Sequence, residues 1–331
     1  MSDECSVLSA VSCVMRPLTM PRLLVFAFLA VVSSVFAAGQ DKPEATSLLG
    51  KPLVPTPPSA EARATLEKNL AAARADYEKD PGNADSIIWL GRRLAYLGRY
   101  RDAIATFSEG IRMHPRDARM YRHRGHRYIT VRELENAAAD LSTAAELVAG
   151  KPDEVEPDGQ PNARNIPTST LNSNVFYHLA LAHYLRGDFE PSLKAWRECE
   201  RYSKNPDMLV ATTHWLYMTL RRLDRVGEAR QVLEPITADM DIIENRSYHR
   251  LLMVYKGIEK ADGLAAAVAD GSLDAVTLGY GLANWHLYNG RRDLAMTQFR
   301  QIVDTHESQW PAFGYIAAEA ELARRSRLQI R

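Results

Sequence analysis

The stretch YRHRGHRYI, residues 121 to 129, sets three arginines and two histidines within nine positions. Guanidinium forks bind carboxylates and phosphates, and imidazoles hold protons or metals near neutral pH, so several chemistries are open to it. A metal needs three or four converging ligands. His123 and His126 stand three apart, and His178 and His183 five apart on different sides of a helix, so no metal site is expected. Catalysis finds no signature either. The chain has no GxSxG elbow, no P-loop, no HExxH and no pair of carboxylates that stands out from the surface charge. Cys199 occupies a position that wants a small packing residue and reads as a buried, inert thiol. No catalytic residue and no cofactor are therefore expected, and the chain reads as a non-enzyme.

The elements that must position these residues emerge as a repeat. Ile87, Leu90, Gly91 and Leu94 are followed by Ala103, Phe107, Gly110 and Pro115. About 34 places on, the same template returns as Tyr121, Gly125, Tyr128, Ala137, Leu141 and Ala144. It restarts at Ser173 with Phe176, Leu179, Ala180, His183, Ser192, Trp196 and Cys199, and looser copies begin near Val210, 244 and Val276. The pattern resembles the tetratricopeptide repeat (TPR), a pair of antiparallel helices, over 84–324. Small residues at Gly91, Ala103, Gly125, Ala137 and Ala180 let the two helices of a unit approach, while Phe107, Leu141 and Trp196 fill the space toward the next. Turns are expected at 97–99, 131–133 and 186–188. The resemblance implies an all-α fold, a right-handed α-solenoid of about six helix-turn-helix units with capping helices at 59–82 and at about 311–324.

The family turns one stripe of each first helix toward a concave groove. Here that stripe includes Arg92 and Tyr96, then Arg122 and His126, Tyr177 and Tyr184, His214 and Arg221, and finally Tyr280 and Asn284. Arginine and tyrosine together suit the recognition of a peptide or protein partner that carries acidic groups. Arg124, Arg127 and His123 are expected on the flank, solvated or paired with acids of neighbouring helices. An insertion at 150–172 interrupts the array with four prolines and four acidic residues. Its acids Asp153, Glu154, Glu156 and Asp158 are candidates to fold over Arg92, Arg122 and His126, as a pocket wall or as an occupant. This leaves two further classes of function, an enzyme or small-ligand sensor with its site between groove and insertion, and a self-associating scaffold.

Lys plus Arg and Asp plus Glu number 41 each, so no global field draws the chain to nucleic acid or anionic lipid. MPRLLVFAFLAVVSSVFAAGQ at 20–40 has the order of a secretory signal cut after Ala37, making 1–37 extension and leader. Its apolar run is shorter than a bilayer span, so membrane contact is expected only if that segment stays uncut. The proline-rich 38–58 reads as an extended, flexible tether, and 325–331 as a basic tail. The chain is expected to be exported, periplasmic or secreted.

Overall fold

A computed structural model describes residues 42–264, 268 and 271–329, with side chains as far as 325. The expected leader at 1–37 lies outside the described residues. Helices α1 (Ala60–Lys79), α2 (Ala84–Tyr96), α3 (Tyr100–Met113), α4 (Ala118–Thr130), α5 (Leu134–Val148), α6 (Leu171–Arg186) and α7 (Phe189–Tyr202) form the first half. They are followed by α8 (Pro206–Arg222), α9 (Val226–Gln231), α10 (Arg246–Tyr255), α11 (Leu273–Tyr288), α12 (Arg292–Thr305) and α13 (Phe313–Gln329). Most first helices start where a side chain accepts an otherwise orphaned amide: Asn83, Asp117, Thr170, Asn205 and Ser272 do so, as Ser59 does for α1.

Successive helices pack on one another except α9 and α10, the latter resting on α8 and α11, and α2, α4, α6, α8 and α11 also touch in series, so these first helices line one inner face. The body is an all-α solenoid of helix pairs, the fifth of which pairs α10 with only a short 3-10 turn at Ala261–Leu264. The small residues sit where the repeat requires them. A Cβ on Gly91 would come to 2.5 Å from the Phe107 ring, and one on Gly125 to 2.6 Å from Leu141 Cγ, while Ala103, Ala137 and Ala180 are fully buried. The turn inside each of the six pairs holds a left-handed residue, in order Gly98, Arg132, Gly187, Asp224, Gly257 and Gly290. Glycine suits that conformation, and Arg132 holds it at φ 67° for a reason that lies across the molecule.

That reason corrects the expectation of an open groove. Helix α13 runs through the inner face against α6, α11 and α12, and is buried on all sides from Tyr315 to Ala320. Only a thin helix fits there, and Ala317, Ala318 and Ala320 keep it thin, while Gly314 lies so close to α11 that a Cβ would meet the Val276 carbonyl oxygen at 2.8 Å. Its two buried carboxylates find arginines. Arg132 donates to both oxygens of Glu319 (3.0 and 2.9 Å) and to the Trp310 carbonyl (2.8 Å), and Glu321 takes Arg222 and Arg324.

The arm is also docked and is not the free tether its prolines suggested. β1 (Ala45–Thr46) pairs antiparallel with β2 (Pro52–Leu53), Ala45 and Leu53 are buried, and the Leu48 amide donates to Glu319. The Val54 carbonyl, left free by the extended chain, accepts the Trp310 indole N–H at 2.9 Å. Prolines fix an extended path, but apolar neighbours and free carbonyls gave that path somewhere to bind. Among the described residues, no helix is long and apolar enough to cross a membrane.

Candidate functional site

Where α13 stops, a cavity of about 310 Å³ remains between α2, α4 and the 150–172 insertion. Helix α2 contributes Arg92 and Tyr96, one turn apart. From α4 come Arg122, His123, His126 and Arg127, two adjacent positions from each of two turns. The insertion lays Glu156, Pro157, Asp158, Gln160 and Pro167–Ser169 over them, with Asn174 of α6 and Glu244 at the rim. The opening stretch of the sequence is thus the floor of a site.

The insertion is held by its own bonds. Val155 bridges to Thr170, the Leu171 amide donates to the Glu154 carbonyl, and Asp153 accepts the Asn172 amide at the start of α6. Arg93 donates to the Gly159 carbonyl at 2.8 Å, and a side chain at Gly159 would run into the Tyr96 hydroxyl. Of the four acids proposed to fold inward, Glu156 does so. Asp153 caps α6, Asp158 accepts the Gln160 amide at the exposed rim, and Glu154 is exposed.

Glu156 meets Arg122 at 3.1 Å and His123 Nε2 at 3.6 Å, and its other oxygen accepts from Asn174 Nδ2 at 3.0 Å. Arg122 Nη1 donates to His123 Nδ1 at 2.9 Å, which places the His123 proton on Nε2, toward Glu156. His178, behind them, donates from Nδ1 to the Asn174 carbonyl, and its ring centre lies 4.2 Å from that of His126, tilted by 39°. Burial, with Arg122 or Arg127 as the nearest cations, pushes His123, His126 and His178 well below the usual imidazole range, so all three are neutral near pH 7.

The arginines are unevenly matched. Arg122 is buried and its Nε has no partner. Arg92, only 9% exposed, reaches the Tyr96 hydroxyl at 3.3 Å and lies over the Trp89 ring, with no carboxylate in reach. Half-buried Arg127 lies 5.7 Å from the Tyr100 ring centre, and burial, then Arg122 and Arg92, pull its guanidinium down to about 10. Arg124 behaves as expected of the flank and pairs with Asp140 at 2.7 Å. His123 and Arg127 were assigned to that flank and instead line the cavity, because α2, α6 and the insertion together cover a wider arc of α4 than one groove stripe.

The other groove positions are not gathered here. Tyr184 is fully buried and accepts from the Tyr280 hydroxyl (2.9 Å) and Asn284 Nδ2 (2.7 Å) inside the core, where Asn284 Oδ1 has no partner. His214 is fully buried between Tyr248 and Tyr255, where burial pushes its imidazole down to about 3. Tyr177 is buried and edge-on to Trp196. Arg221 lies elsewhere, over the Tyr288 ring at 4.4 Å, and donates to the Tyr217 hydroxyl. Cys199 is a fully buried thiol that burial pushes up to about 12. A second cavity of about 500 Å³ shares His126 and Glu244 with the first and continues past Tyr248, Leu273 and Phe313. Among the described residues, no group of three or more His, Cys, Asp or Glu is placed to hold a metal ion.

No family model and no curated protein matches the chain. Among solved structures it is similar to the TPR protein YrrB, described as having an unusual peptide-binding site, at 13% identity over 76% of this chain and 98% of that one, TM-score 0.40. It is also similar to a TPR protein of Parabacteroides merdae, at 12% identity over 79% and 93%, TM-score 0.44. The third is the Naa15/Naa10 complex bound to HypK, at 14% identity over 80% of this chain and 39% of that one, TM-score 0.34.

Proposed function

We propose that this chain is a non-catalytic binding protein that holds an acidic segment of a peptide or partner protein in the basic cavity between α2, α4 and the insertion. One observation carries the reading: Arg92, Arg122 and Arg127 face a single cavity, and among the described residues Glu156 alone comes within ion-pair distance of any of them. Guanidinium groups held without counterions in a half-closed space favour a ligand that brings negative charge. The second cavity, joined at His126 and Glu244, gives an extended chain room to continue. The three neutral imidazoles add donors and acceptors without adding charge. In this reading the leader at 20–37 takes the protein to the periplasm or exterior, where its partner would be found.

The test is binding to arrayed random decapeptides of acidic, neutral and basic composition. Wild-type protein should retain acidic peptides. Arg92→Ala/Arg127→Ala should lose at least tenfold in affinity, while Arg221→Ala, at the separate Tyr288 site, should change it less than twofold. Equal retention of all three classes, or an equal loss in the Arg221 variant, would remove the cavity from the account.

A further inference from the structure

Resting on that reading, we infer that the cavity is built for a compact, doubly charged oxyanion of the phosphoryl kind, and that a single carboxylate leaves it half-neutralised. Arg92, Arg122 and Arg127 supply three positive charges, and the one buried carboxylate, Glu156, is engaged on all sides by Arg122, His123 and Asn174. The remaining acids are exposed and occupied: Asp158 accepts the Gln160 amide, and Glu244 is held by Thr168 and Asn162. Two charges therefore stay uncompensated, and burying unpaired charge is costly.

The donors point the same way. Arg122 Nε is buried with no partner, and Arg92, more than nine-tenths buried, has only a hydroxyl and a ring against it. Arg127 has only a ring. Guanidinium forks arranged around one space match the several oxygens of a tetrahedral anion better than the two of a carboxylate. The neutral imidazole of His126 on the same wall offers one more hydrogen bond. The cavity exceeds the volume of one phosphoryl group, so whatever carries that group has space beside Tyr96 and Pro167.

The experiment uses the full chain with inorganic phosphate, a phosphoserine decapeptide, its unphosphorylated counterpart and acetate, at constant ionic strength. Calorimetric titration and thermal midpoints are read for wild type, Arg92→Ala/Arg127→Ala and Arg127→Lys. Phosphate should raise the wild-type midpoint by several degrees and acetate by much less. The double variant should lose that gain, which separates site binding from general salt effects, and the lysine variant should keep part of it. If only free phosphate binds, the source is a small molecule; tighter binding of the phosphopeptide makes it a modified partner, and both support the inference. Acetate acting as strongly as phosphate overturns it. Acidic decapeptides bound without any phosphate effect overturn the dianion while leaving the binding reading intact, whereas loss of both defeats the two together.

Discussion

Replacing Glu156 with Gln tests how the insertion and the inner helices cooperate. The side chain is 11% exposed and faces Arg122, itself 9% exposed, at 3.1 Å, with Asn174 on its other oxygen. Glutamine keeps the shape and one acceptor but removes the charge that Arg122 answers. A charge-assisted hydrogen bond contributes roughly 1.5–3 kcal/mol net, and stripping the partner from a fully buried ion costs about 3–5. Because one acceptor remains and the cavity admits water, the expected loss is about 2 kcal/mol, which at this size lowers the melting midpoint by roughly 3 °C. Differential scanning calorimetry in low salt at pH 7.5 reads it directly. Added phosphate should then restore much of the loss, with a larger gain in the variant than in wild type, since binding to the folded state alone stabilises it. Identical midpoints for the two proteins, with and without phosphate, would show that Glu156 merely passes over the arginines, and the reasoning would fail.

Three further outcomes follow from the packing. Gly125→Ala drives a Cβ to 2.6 Å from Leu141 and should cost about 1–3 kcal/mol by overpacking, read by urea denaturation; an unchanged midpoint would deny the close approach of α4 and α5. Glu319→Ala leaves Arg132 buried and unpaired, so a loss of about 3–5 kcal/mol is expected, with new proteolytic cleavage in α13. If α13 stays protected in that variant, the ion pair does not hold it. His214 stays neutral in the fold down to about pH 3, whereas the unfolded chain takes up its proton near 6.5. The unfolded state therefore binds more protons between those values, and stability falls as pH drops below about 6.5, by up to ~1.4 kcal/mol per unit for each such histidine. His214→Phe should flatten the midpoint against pH between 6.5 and 4.5; an unaltered slope would contradict the assignment.

Repeat spacing was legible because it is local: Gly91 and Gly125 sit opposite Phe107 and Leu141 within one helix pair, and each contact can be read at short range. Turns at 97–99, 131–133 and 186–188 were legible for the same reason. The docking of α13 was not. Its anchors join Arg132 to Glu319 and Arg222 to Glu321, residues far apart in the chain whose charges look like ordinary surface charge until they are buried. One trace existed in Ala317, Ala318 and Ala320, which make a helix thin enough to be enclosed. The cavity was half legible. Arg92, Tyr96, Arg122 and His126 fell on the groove stripe, but His123 and Arg127 sit beside it and become wall only because the insertion widens the covered arc. A stripe one residue wide cannot express an environment set by a loop.

The same comparison explains why the site lies in the first half of the array. Helix α13 begins at Phe313, whose ring stands 5.5 Å from His126, 5.7 Å from His178 and 6.2 Å from Tyr177. Beyond it toward the C-terminal pairs, α13 fills the inner face: Tyr280 and Asn284 both donate to Tyr184, and Arg222 and Arg324 take Glu321. On the other side of Phe313, α2 and α4 present arginines that no acid of α13 reaches, and the insertion supplies a roof with a single inward carboxylate. The chain thus fills its own concavity where complementary charges exist and leaves it open where they do not. His126 lines the cavity and its ring packs against Phe313, so one ring contact joins the site to the start of α13. Phe313→Ala should weaken that link without touching the arginines: anion affinity should hold within about twofold, whereas protection of α13 from proteolysis by bound phosphate should disappear. Protection that persists in the variant would show that site and helix are independent.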